Sequence, residues 1–412
     1  MSKAHLEAAK AVVKKLVDAG HTAYFAGGWV RDHLMKIPSD DIDIATTAKP
    51  DEVAKLFEKT IPVGVNFGVV IVVIQEHAFE VATFRSDRAY IDGRRPVGID
   101  PACPEEDAQR RDFTINGMFY DPFADVLYDY VDGKRDIIEG VIRAIGNPHD
   151  RFAEDRLRMV RAVRYAARFH FVIESATLQA IIDHSPELLN AVAVERLWQE
   201  LEKMARYPNF EIALITMHRL GLLQVILPEL GNTDIETIHQ RLQHIPHFPI
   251  DAPMIAGLLE LFPNSSLEEK LKLCDHFKVS NSVKAFVEAY HAHVKQLYID
   301  TQLDDYEWSK TYAEPNFSIS FQLAALKLDP ESQATFVDIH QKRQKRLKEC
   351  IERIRSRKPI LKAQDLEEVG IKPGKEMGLL LQEGEKLSVN EQLFDPKLII
   401  KRLQETPLWP KG

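Results

Sequence analysis

The sequence predicts an α+β head built on a mixed sheet with helices, followed by an all-α remainder. Two patterns predict this division. Short β-branched and aromatic segments alternate with amphipathic ones up to about residue 147, whereas apolar residues recur at helical spacing from Phe152 almost to the C-terminus. A length of 412 residues also exceeds one compact core, so we expect roughly two to four domains.

Helices and strands alternate in the predicted head. The predicted helices are Leu6–Leu16, a short helix from Trp29, and Pro50–Phe57. The predicted strands are Thr22–Ala26, Asp41–Ala45, Val69–Ile74, Phe79–Phe84 and Val141–Ile145. The third and fourth strands form a hairpin around the turn "QEHA", and Arg88–Pro104, rich in Gly, Pro, Arg and Asp, predicts a mobile surface loop.

Composition is typical of an ordinary soluble protein, with 45% hydrophobic and 28% charged residues. The first 20 residues alternate apolar side chains with lysines and lack the continuous apolar stretch of a signal peptide. No window approaches the ~18 apolar residues that would span a bilayer. We therefore expect a cytoplasmic protein that is not associated with a membrane.

The three cysteines, Cys103, Cys274 and Cys350, are far apart and have no histidine clusters beside them. This spacing argues against a disulfide framework and against a structural zinc site. The net charge of −9 (53 basic and 62 acidic residues) does not by itself indicate nucleic-acid binding, because contacts to phosphate need Lys and Arg. Any RNA would have to be held by local basic patches.

An aspartate pair is the first candidate site. Asp41 and Asp43 lie two apart on a predicted strand, so both side chains are expected on one face. Two neighbouring carboxylates are costly to keep ionised unless a cation lies between them. Hard oxygen ligands favour Mg²⁺, and two such ions assist phosphoryl transfer. The alternative for an isolated Asp-x-Asp pair is a solvated strand edge.

A glycine turn precedes this pair. Gly27 and Gly28 stand between a predicted strand and a predicted helix, where a backbone can pass close to phosphates. Arg31 on that helix is expected to contact a triphosphate, and Asp32 to orient Arg31. The combination of a glycine turn, an Arg-Asp helix start and Asp-x-Asp within 17 residues is much more specific than any of its parts.

The segment "FAGGWVRDHLMKIPSDDIDIATT" (Phe25–Thr47) resembles motif A of the DNA polymerase beta superfamily, in the class II branch of CCA-adding enzymes and bacterial poly(A) polymerases. The resemblance implies that Asp41 and Asp43 carry two Mg²⁺ ions. It leaves out Asp40, which would face the other side of the strand. Glu80 is a candidate third acidic group, with an exposed strand charge as the alternative.

The segment "EEDAQRRDFTINGMFYDP" (105–122) resembles motif B of the same family. Arg110 and Arg111 are then cations for the triphosphate, and Asp112 is suited to sense a ribose 2′-hydroxyl. Asn116 lies four residues beyond Asp112, so the two side chains are expected on the same helix face. The alternative for "RRD" alone is a solvated charge cluster. The segment "YVDGKRD" fits motif C, with Asp132–Gly133 at a turn.

The segment "AEDRLRMVRAVRYAARF" resembles motif D, with Glu154, Asp155 and Arg158 as its Glu-Asp-x-x-Arg. Asp155 and Arg158 are three apart and are expected on one helix face. A carboxylate that accepts from an exocyclic amine, beside a guanidinium that donates to a ring nitrogen, fits cytosine and adenine but not guanine or uracil. A surface salt bridge is the alternative for such a pair.

Two further segments extend the resemblance. Arg85–Pro96 corresponds to the family's flexible loop, which is implicated in switching from C to A addition, and its length argues against an enzyme that adds only C. Val194–Met204 resembles motif E, in which Glu195 and Arg196 brace the nucleotide-binding helix. "VGVNFGVV" (Val63–Val70) is nearer the CCA-adding type than the basic stretch of the poly(A) polymerases.

The basic run Gln341–Lys358 holds nine basic and two acidic residues, and Lys362–Gly378 resembles the family's "G-I-x-P-G" turn into a helix. The predicted RNA contacts are Lys342, Arg343, Lys345, Arg346, Lys372 and Lys375. A solvated helix face and an ordinary turn are the alternatives. The resemblance implies a nucleotidyltransferase head (1–147) and a helical neck (148–245), body (246–340) and tail (341–412).

The predicted function is template-independent addition of C and A to the 3′ end of tRNA from CTP and ATP, with two Mg²⁺ ions and release of pyrophosphate. The predicted partner is tRNA or another RNA 3′ end, without a stable protein partner. Three alternatives stay open: a poly(A) polymerase or A-only enzyme on the same scaffold, an inactive RNA-binding relative, and a small-molecule nucleotidyltransferase. The long helical remainder disfavours the last.

Overall fold

The structure, a computed structural model, describes residues 3–64, 68–87, 99–298 and 303–410. They form two compact units, Met1–Gln243 and His244–Gly412. The first contains a mixed sheet followed by helices, and the described part of the second is helical, so the predicted fold class is confirmed. The finer division at residues 147, 245 and 340 stays a prediction.

The strands all lie in the first unit, as far as the structure describes the chain. They are β1 (Ala23–Ala26), β2 (Asp43–Thr46), β3 (Thr60–Gly64), β4 (Val69–Ile74), β5 (His77–Thr83), β6 (Arg85–Asp87), β7 (Ile99–Pro101), β8 (Met118–Asp121), β9 (Val126–Asp129), β10 (Val141–Ile142) and β11 (Val172–Ile173). Seven of them form one sheet in the order β3-β4-β5-β2-β1-β8-β9. Only β2 and β5 pair in parallel there, which makes the sheet mixed.

The helices of the first unit are α1 (Lys3–Asp18), α2 (Gly28–Leu34), α3 (Pro50–Leu56), α4 (Pro104–Gln109), α5 (Gly133–Glu139), α6 (Pro148–Glu154), α7 (Leu157–Phe169), α8 (Ser175–His184), α9 (Leu188–Ala191), α10 (Val194–Ala205), α11 (Phe210–Arg219), α12 (Leu222–Ile226) and α13 (Ile235–Leu242). The apolar face of α1, with Val12 and Leu16, packs on Phe25 and Ile44 of the sheet. Burial of this face fixes β1 and β2 and therefore the residues at their ends.

The helices of the second unit are α14 (Met254–Glu260), α15 (Leu267–His276), α16 (Asn281–Tyr298), α17 (Asp305–Ala313), α18 (Phe317–Ala325), α19 (Pro330–Arg346), α20 (Lys348–Arg355), α21 (Ala363–Glu367), α22 (Lys375–Asn390) and α23 (Pro396–Gln404). Two apolar clusters connect most of them, α16 to α20 around Trp308 and α21 to α23 around Leu366 and Leu380. No helix among the described residues is both long and apolar enough to cross a bilayer.

Three predicted strand boundaries are wrong. Strand β2 begins at Asp43 rather than Asp41, because its partner β1 ends at Ala26, opposite Asp43, and the chain then turns away. The hairpin turn is only Gln75–Glu76, both at positive φ, so β5 begins two residues earlier than predicted. The predicted strand Val141–Ile145 is the two-residue β10, which pairs with β11 outside the large sheet.

Strands β3, β8 and β9 were not predicted from the sequence. Each has only four or five residues; β8 lies at the end of the segment 105–122 that resembles motif B, and β9 follows that segment. The loop predicted at Arg88–Pro104 ends in β7 and the start of α4, and residues 88–98 lie outside the described residues. Most of the flexible loop predicted at Arg85–Pro96, and part of Val63–Val70, also fall outside them.

Candidate active site

One cleft of the first unit, with a volume of about 640 Å³, collects the predicted metal and nucleotide residues. Its lining includes Gly27, Gly28, Arg31, Asp41, Asp43, Arg110, Arg111, Asp112, Asn116, Asp155 and Arg158. These side chains come from segments more than 100 residues apart, so their convergence is a property of the fold. Their individual roles stay predictions.

The carboxylates of Asp41 and Asp43 share this cleft, with Asp41 exposed and Asp43 half-buried at the start of β2. Burial raises the pKa of Asp43, the nearby charges of Asp41 and Glu80 add to this effect and Arg111 opposes it, which together bring the pKa to about 7. Glu80 lies exposed on β5, the neighbour of β2 in the sheet. An acidic site of this kind attracts a proton or a cation.

The donor set fits Mg²⁺ that is completed by a substrate. Among the residues that the structure describes, no three histidine, cysteine or acidic side chains are grouped tightly enough to hold a metal ion by themselves. Mg²⁺ is ordinarily held by one or two carboxylates together with water and substrate phosphates. Asp41 and Asp43 can supply those two carboxylates.

The turn at Gly27 brings the backbone close to both charges of the site. Gly27 has a φ of +67°, and a Cβ added there would lie 3.3 Å from Nη1 of Arg111 and 3.4 Å from Oδ2 of Asp43. Any other residue would be strained at this φ, and its Cβ would crowd Nη1 of Arg111 and touch Oδ2 of Asp43. The close approach of these two side chains therefore explains why glycine is needed at this turn.

Arg31 is buried, at 3% exposure, and is held by the protein itself. It donates to Oδ1 of Asp32 at 2.8 Å, which agrees with the predicted orienting contact, and to Oδ1 of Asn116 at 2.6 Å. Asn116 in turn donates to Asp112 at 3.1 Å, and Asp112 accepts from Nε of Arg161 at 2.9 Å. This chain of contacts ties α2 of the head to α7.

Asp112 and Asn116 do not share a helix as predicted. Asp112 precedes a three-residue 3₁₀ turn, Thr114–Asn116, and its carboxylate accepts from the backbone N–H of Phe113 at 2.8 Å. Although burial opposes ionisation, the Arg161 guanidinium holds the pKa of Asp112 well below its usual range. Both carboxylate oxygens already accept protein donors, and the ribose contact stays a prediction.

Arg110 and Arg111 are fixed by one buried carboxylate. Asp107, whose side chain is 1% exposed, accepts from Arg110 at 2.7 Å and from Arg111 at 3.0 Å. Burial alone would raise the pKa of Asp107, but Arg111 and Arg110 hold it below its usual range. The two guanidinium groups are therefore preorganised in the cleft, and their side chains keep 20% and 18% exposure.

The helical position predicted for Asp155 is wrong. Asp155 lies in extended conformation at the C-cap of α6, before α7, and its carboxylate accepts from the backbone N–H of Leu157 at 3.1 Å. Arg158 lies in the first turn of α7 and donates to Glu154 at 2.6 Å. Asp155 also accepts from Arg196 of α10 at 3.0 Å, which is the bracing contact expected of that segment.

The cleft residues contributed by the rest of α7, by α10 and by the turn after α10 were not predicted. These are Leu157, Arg161, Arg164, Tyr165, Arg168, Lys203, Arg206 and Tyr207, together with Arg196, which was assigned only a bracing role. A signal was present, since Arg158, Arg161, Tyr165 and Arg168 follow helical spacing on one face of α7. The lining as a whole has ten cationic and four acidic side chains, a balance that favours a polyphosphate.

The basic residues predicted to bind RNA on α19 are partly engaged within the protein. Lys342 forms an exposed ion pair with Asp338 at 2.7 Å, and Arg346 forms one with Asp305. Lys345 is exposed at the end of the same helix. Exposed ion pairs contribute little stability and are readily exchanged for a phosphate. The RNA contacts on this helix stay predictions.

The other predicted RNA contacts differ in exposure. The guanidinium of Arg343 lies over the ring of Trp308 at 4.4 Å, which gives it a packing role. Lys372 and Lys375 are exposed on the turn that leads into α22, so the predicted turn-to-helix arrangement is present there. Their contact with RNA stays a prediction.

Two family models match parts of this chain. The poly A polymerase head domain matches residues 23–143. The model described as the probable RNA and SrmB-binding site of polymerase A matches residues 170–233. The first match spans both carboxylates of the cleft, and the second spans α10.

Two related sequences and one solved structure show to which family this chain belongs. The CCA-adding enzyme of Bacillus velezensis is 44% identical over 214 residues, so the chain spans about half (54%) of that protein's length. The CCA-adding enzyme of Lactobacillus johnsonii is 32% identical over 387 residues, 92% of each protein. The crystal structure of the Bacillus stearothermophilus CCA-adding enzyme in complex with CTP resembles this fold, with a TM-score of 0.80 and 27% identity over 98% of each chain. The chain therefore belongs to the family of CCA-adding enzymes.

Proposed function

We propose that this protein adds C and A to the 3′ end of tRNA, using CTP and ATP and releasing pyrophosphate. One observation carries the proposal: a single cleft joins an acidic pair suited to Mg²⁺ with an arginine-rich wall suited to a triphosphate. The names of the relatives agree with it. The sequence further predicts a cytoplasmic protein without a stable protein partner.

We infer that Asp41 and Asp43 hold two Mg²⁺ ions. When bound, such ions lower the pKa of an attacking hydroxyl and neutralise charge on the transferring phosphoryl group. The protein's own contribution is to position the carboxylates. Asp43 is held by the pairing of β2 with β1, and Gly27 leaves the space beside it open. The raised pKa of Asp43 is consistent with a site that a cation completes.

The cationic wall holds the triphosphate in this proposal. Arg110 and Arg111 are preorganised by Asp107, and Arg31 is fixed by Asp32 and Asn116, so little side-chain entropy is lost when phosphate binds. The attacking group is the RNA 3′-hydroxyl and the bond broken is that between the α- and β-phosphates.

Base choice comes from Asp155 and Arg158 in this proposal. The carboxylate of Asp155 accepts from the exocyclic amine of C or A, and the guanidinium of Arg158 donates to a ring nitrogen. Arg196 and Glu154 fix these two side chains before the nucleotide arrives. Uracil and guanine place a carbonyl opposite the Asp155 carboxylate, where two acceptors repel each other.

The deciding experiment uses tRNA transcripts that end before CCA, after C, and after CC, each incubated with Mg²⁺ and one or more NTPs. We expect two C residues followed by one A, and no extension of a transcript that already ends in CCA. Addition of A alone to the CC transcript would identify an A-only enzyme. Long A tracts would identify a poly(A) polymerase. No incorporation into any RNA would reject the proposal, in favour of an inactive RNA-binding relative or a small-molecule enzyme.

Replacing Gly27 by Ala is expected to lower kcat/KM for CTP roughly tenfold, because the new Cβ crowds the Arg111 guanidinium beside Asp43. Steady-state kinetics of CTP incorporation measures this. The matched control is Gly146→Ala, which has a similar positive φ of +71° but no neighbour within 4 Å. Equal losses in the two variants would mean that backbone strain, and not the cleft, explains the effect.

A further inference from the structure

The cleft has an end that the proposed nucleotide contacts leave unused. We call Arg168, Lys203, Arg206 and Tyr207 the distal rim; they line the cleft at the C-terminal ends of α7 and α10. Along α7, Arg168 lies ten residues beyond Arg158, about 15 Å at the rise of an α-helix. The distal rim is therefore well separated from the residues assigned to the base.

Tyr207 is an exposed aromatic side chain in a fixed position. Its residue is 37% exposed, and the guanidinium of Arg168 lies 4.2 Å from the ring centroid. Arg168 is itself held, by Asp32 at 3.2 Å and over the ring of Phe169 at 4.6 Å. The turn after α10 is secured by Asn209, which donates to the carbonyl of Ala167 at 3.2 Å. An exposed ring that is anchored in this way loses little entropy when a base stacks on it.

Two cations accompany the ring. Within residues 3–64, 68–87, 99–298 and 303–410, the guanidinium of Arg206 makes no ion pair and no hydrogen bond, and the residue is exposed. Lys203 pairs with Glu200 at 3.0 Å and keeps 46% side-chain exposure. Arg161 and Arg164 of the same cleft are also tied to carboxylates, Arg161 to Asp112 and Arg164 to Glu200 itself. Arg206 can therefore meet an incoming anion without giving up a partner among the described residues.

We propose that the distal rim binds the single-stranded 3′ end of the RNA substrate, with one base stacked on Tyr207 and a backbone phosphate on Arg206. An aromatic platform beside cations is the arrangement that proteins use for single-stranded nucleic acid. A triphosphate or pyrophosphate would use the cations but gains nothing from the ring. This inference rests on the proposed function, because it assigns a position to the same RNA.

The test measures the affinity of the full-length protein for two labelled tRNA transcripts over a series of KCl concentrations, without NTP. One transcript ends in an unpaired 3′ strand before CCA, and the other has a recessed 3′ end. We expect Tyr207→Ala to weaken binding of the first roughly tenfold and of the second not at all. Tyr207→Phe keeps the ring and is expected to bind as the wild type does.

Arg206→Gln is expected to make the slope of log Kd against log salt shallower by roughly 0.7, the value for one phosphate contact on a single strand. The matched control is Lys55→Gln on α3, which removes one exposed cation away from the cleft and should leave the slope unchanged. Thermal unfolding checks that all the variants are folded.

Three results would overturn the inference. They are unchanged affinity of Tyr207→Ala for the unpaired 3′ strand, an equal loss on the recessed transcript, or, in a separate steady-state assay of CTP incorporation, a rise only in the KM for CTP, which would assign the rim to the triphosphate. Because RNA affinity is measured without catalysis, these outcomes are distinct from a failure of nucleotide addition. A wild type that adds no nucleotide would reject the proposed function instead.

Discussion

Asp43→Asn is expected to reduce nucleotide incorporation at least about a thousandfold, because the loss of a metal ligand removes several kcal/mol of transition-state stabilisation. Asp41→Asn should have a similar effect. RNA affinity should persist in both, since neither carboxylate is assigned a contact with RNA. Single-turnover incorporation of CTP, together with RNA binding in the same buffer, measures both expectations.

Asp40→Asn is the matched control for this pair. Asp40 is exposed, adjoins Asp41 in the sequence and does not line the cleft, so its substitution removes one negative charge without removing a proposed ligand. We expect its incorporation rate to match the wild type. Full activity in either Asp41→Asn or Asp43→Asn would contradict the assignment of the metal site.

Asp155→Ala is expected to relax base choice, lowering the preference for C and A over U and G by up to about a hundredfold. A single base contact accounts for ~1–3 kcal/mol of discrimination, and the variant loses the acceptor that recognises the exocyclic amine. Competition between CTP and UTP for one transcript measures the ratio of kcat/KM values directly.

Two controls separate recognition from folding. Asp150→Ala removes an exposed carboxylate from α6 outside the cleft and should leave selectivity unchanged. Arg196→Ala keeps the Asp155 carboxylate but removes its 3.0 Å partner, so a partial loss of selectivity is expected. An Asp155→Ala enzyme that still rejects U and G as the wild type does would rule out the proposed base contact.

Local sequence predicted much of the site because its chemistry is concentrated in short segments. Gly27, Asp41 and Asp43 lie within 17 residues, and the turn and the start of β2 hold them in one cleft. The same holds for Arg110 and Arg111, whose orientation depends on Asp107, one turn earlier on α4. In both cases the contacts that position the side chains are close in sequence.

The features that sequence analysis missed depend on side-chain chemistry and on packing at long range. Helical spacing predicted Asp155 inside a helix, but it is the extended C-cap of α6 and its carboxylate accepts from the backbone N–H of Leu157. The distal rim depends on α7 and α10 lying side by side, joined by the buried pair of Arg164 and Glu200 at 2.6 Å. Nothing in the spacing of Tyr207 indicates that Arg168 lies over its ring.

A crystal structure of the wild-type protein with CTP and Mn²⁺ tests the central claim most directly, since Mn²⁺ replaces Mg²⁺ at oxygen ligands and is located by its anomalous scattering. The account predicts anomalous peaks at the carboxylates of Asp41 and Asp43, with the triphosphate beside Gly27 and the cytosine at Asp155 and Arg158. Metal or nucleotide bound elsewhere, with these two carboxylates left unliganded, would contradict it.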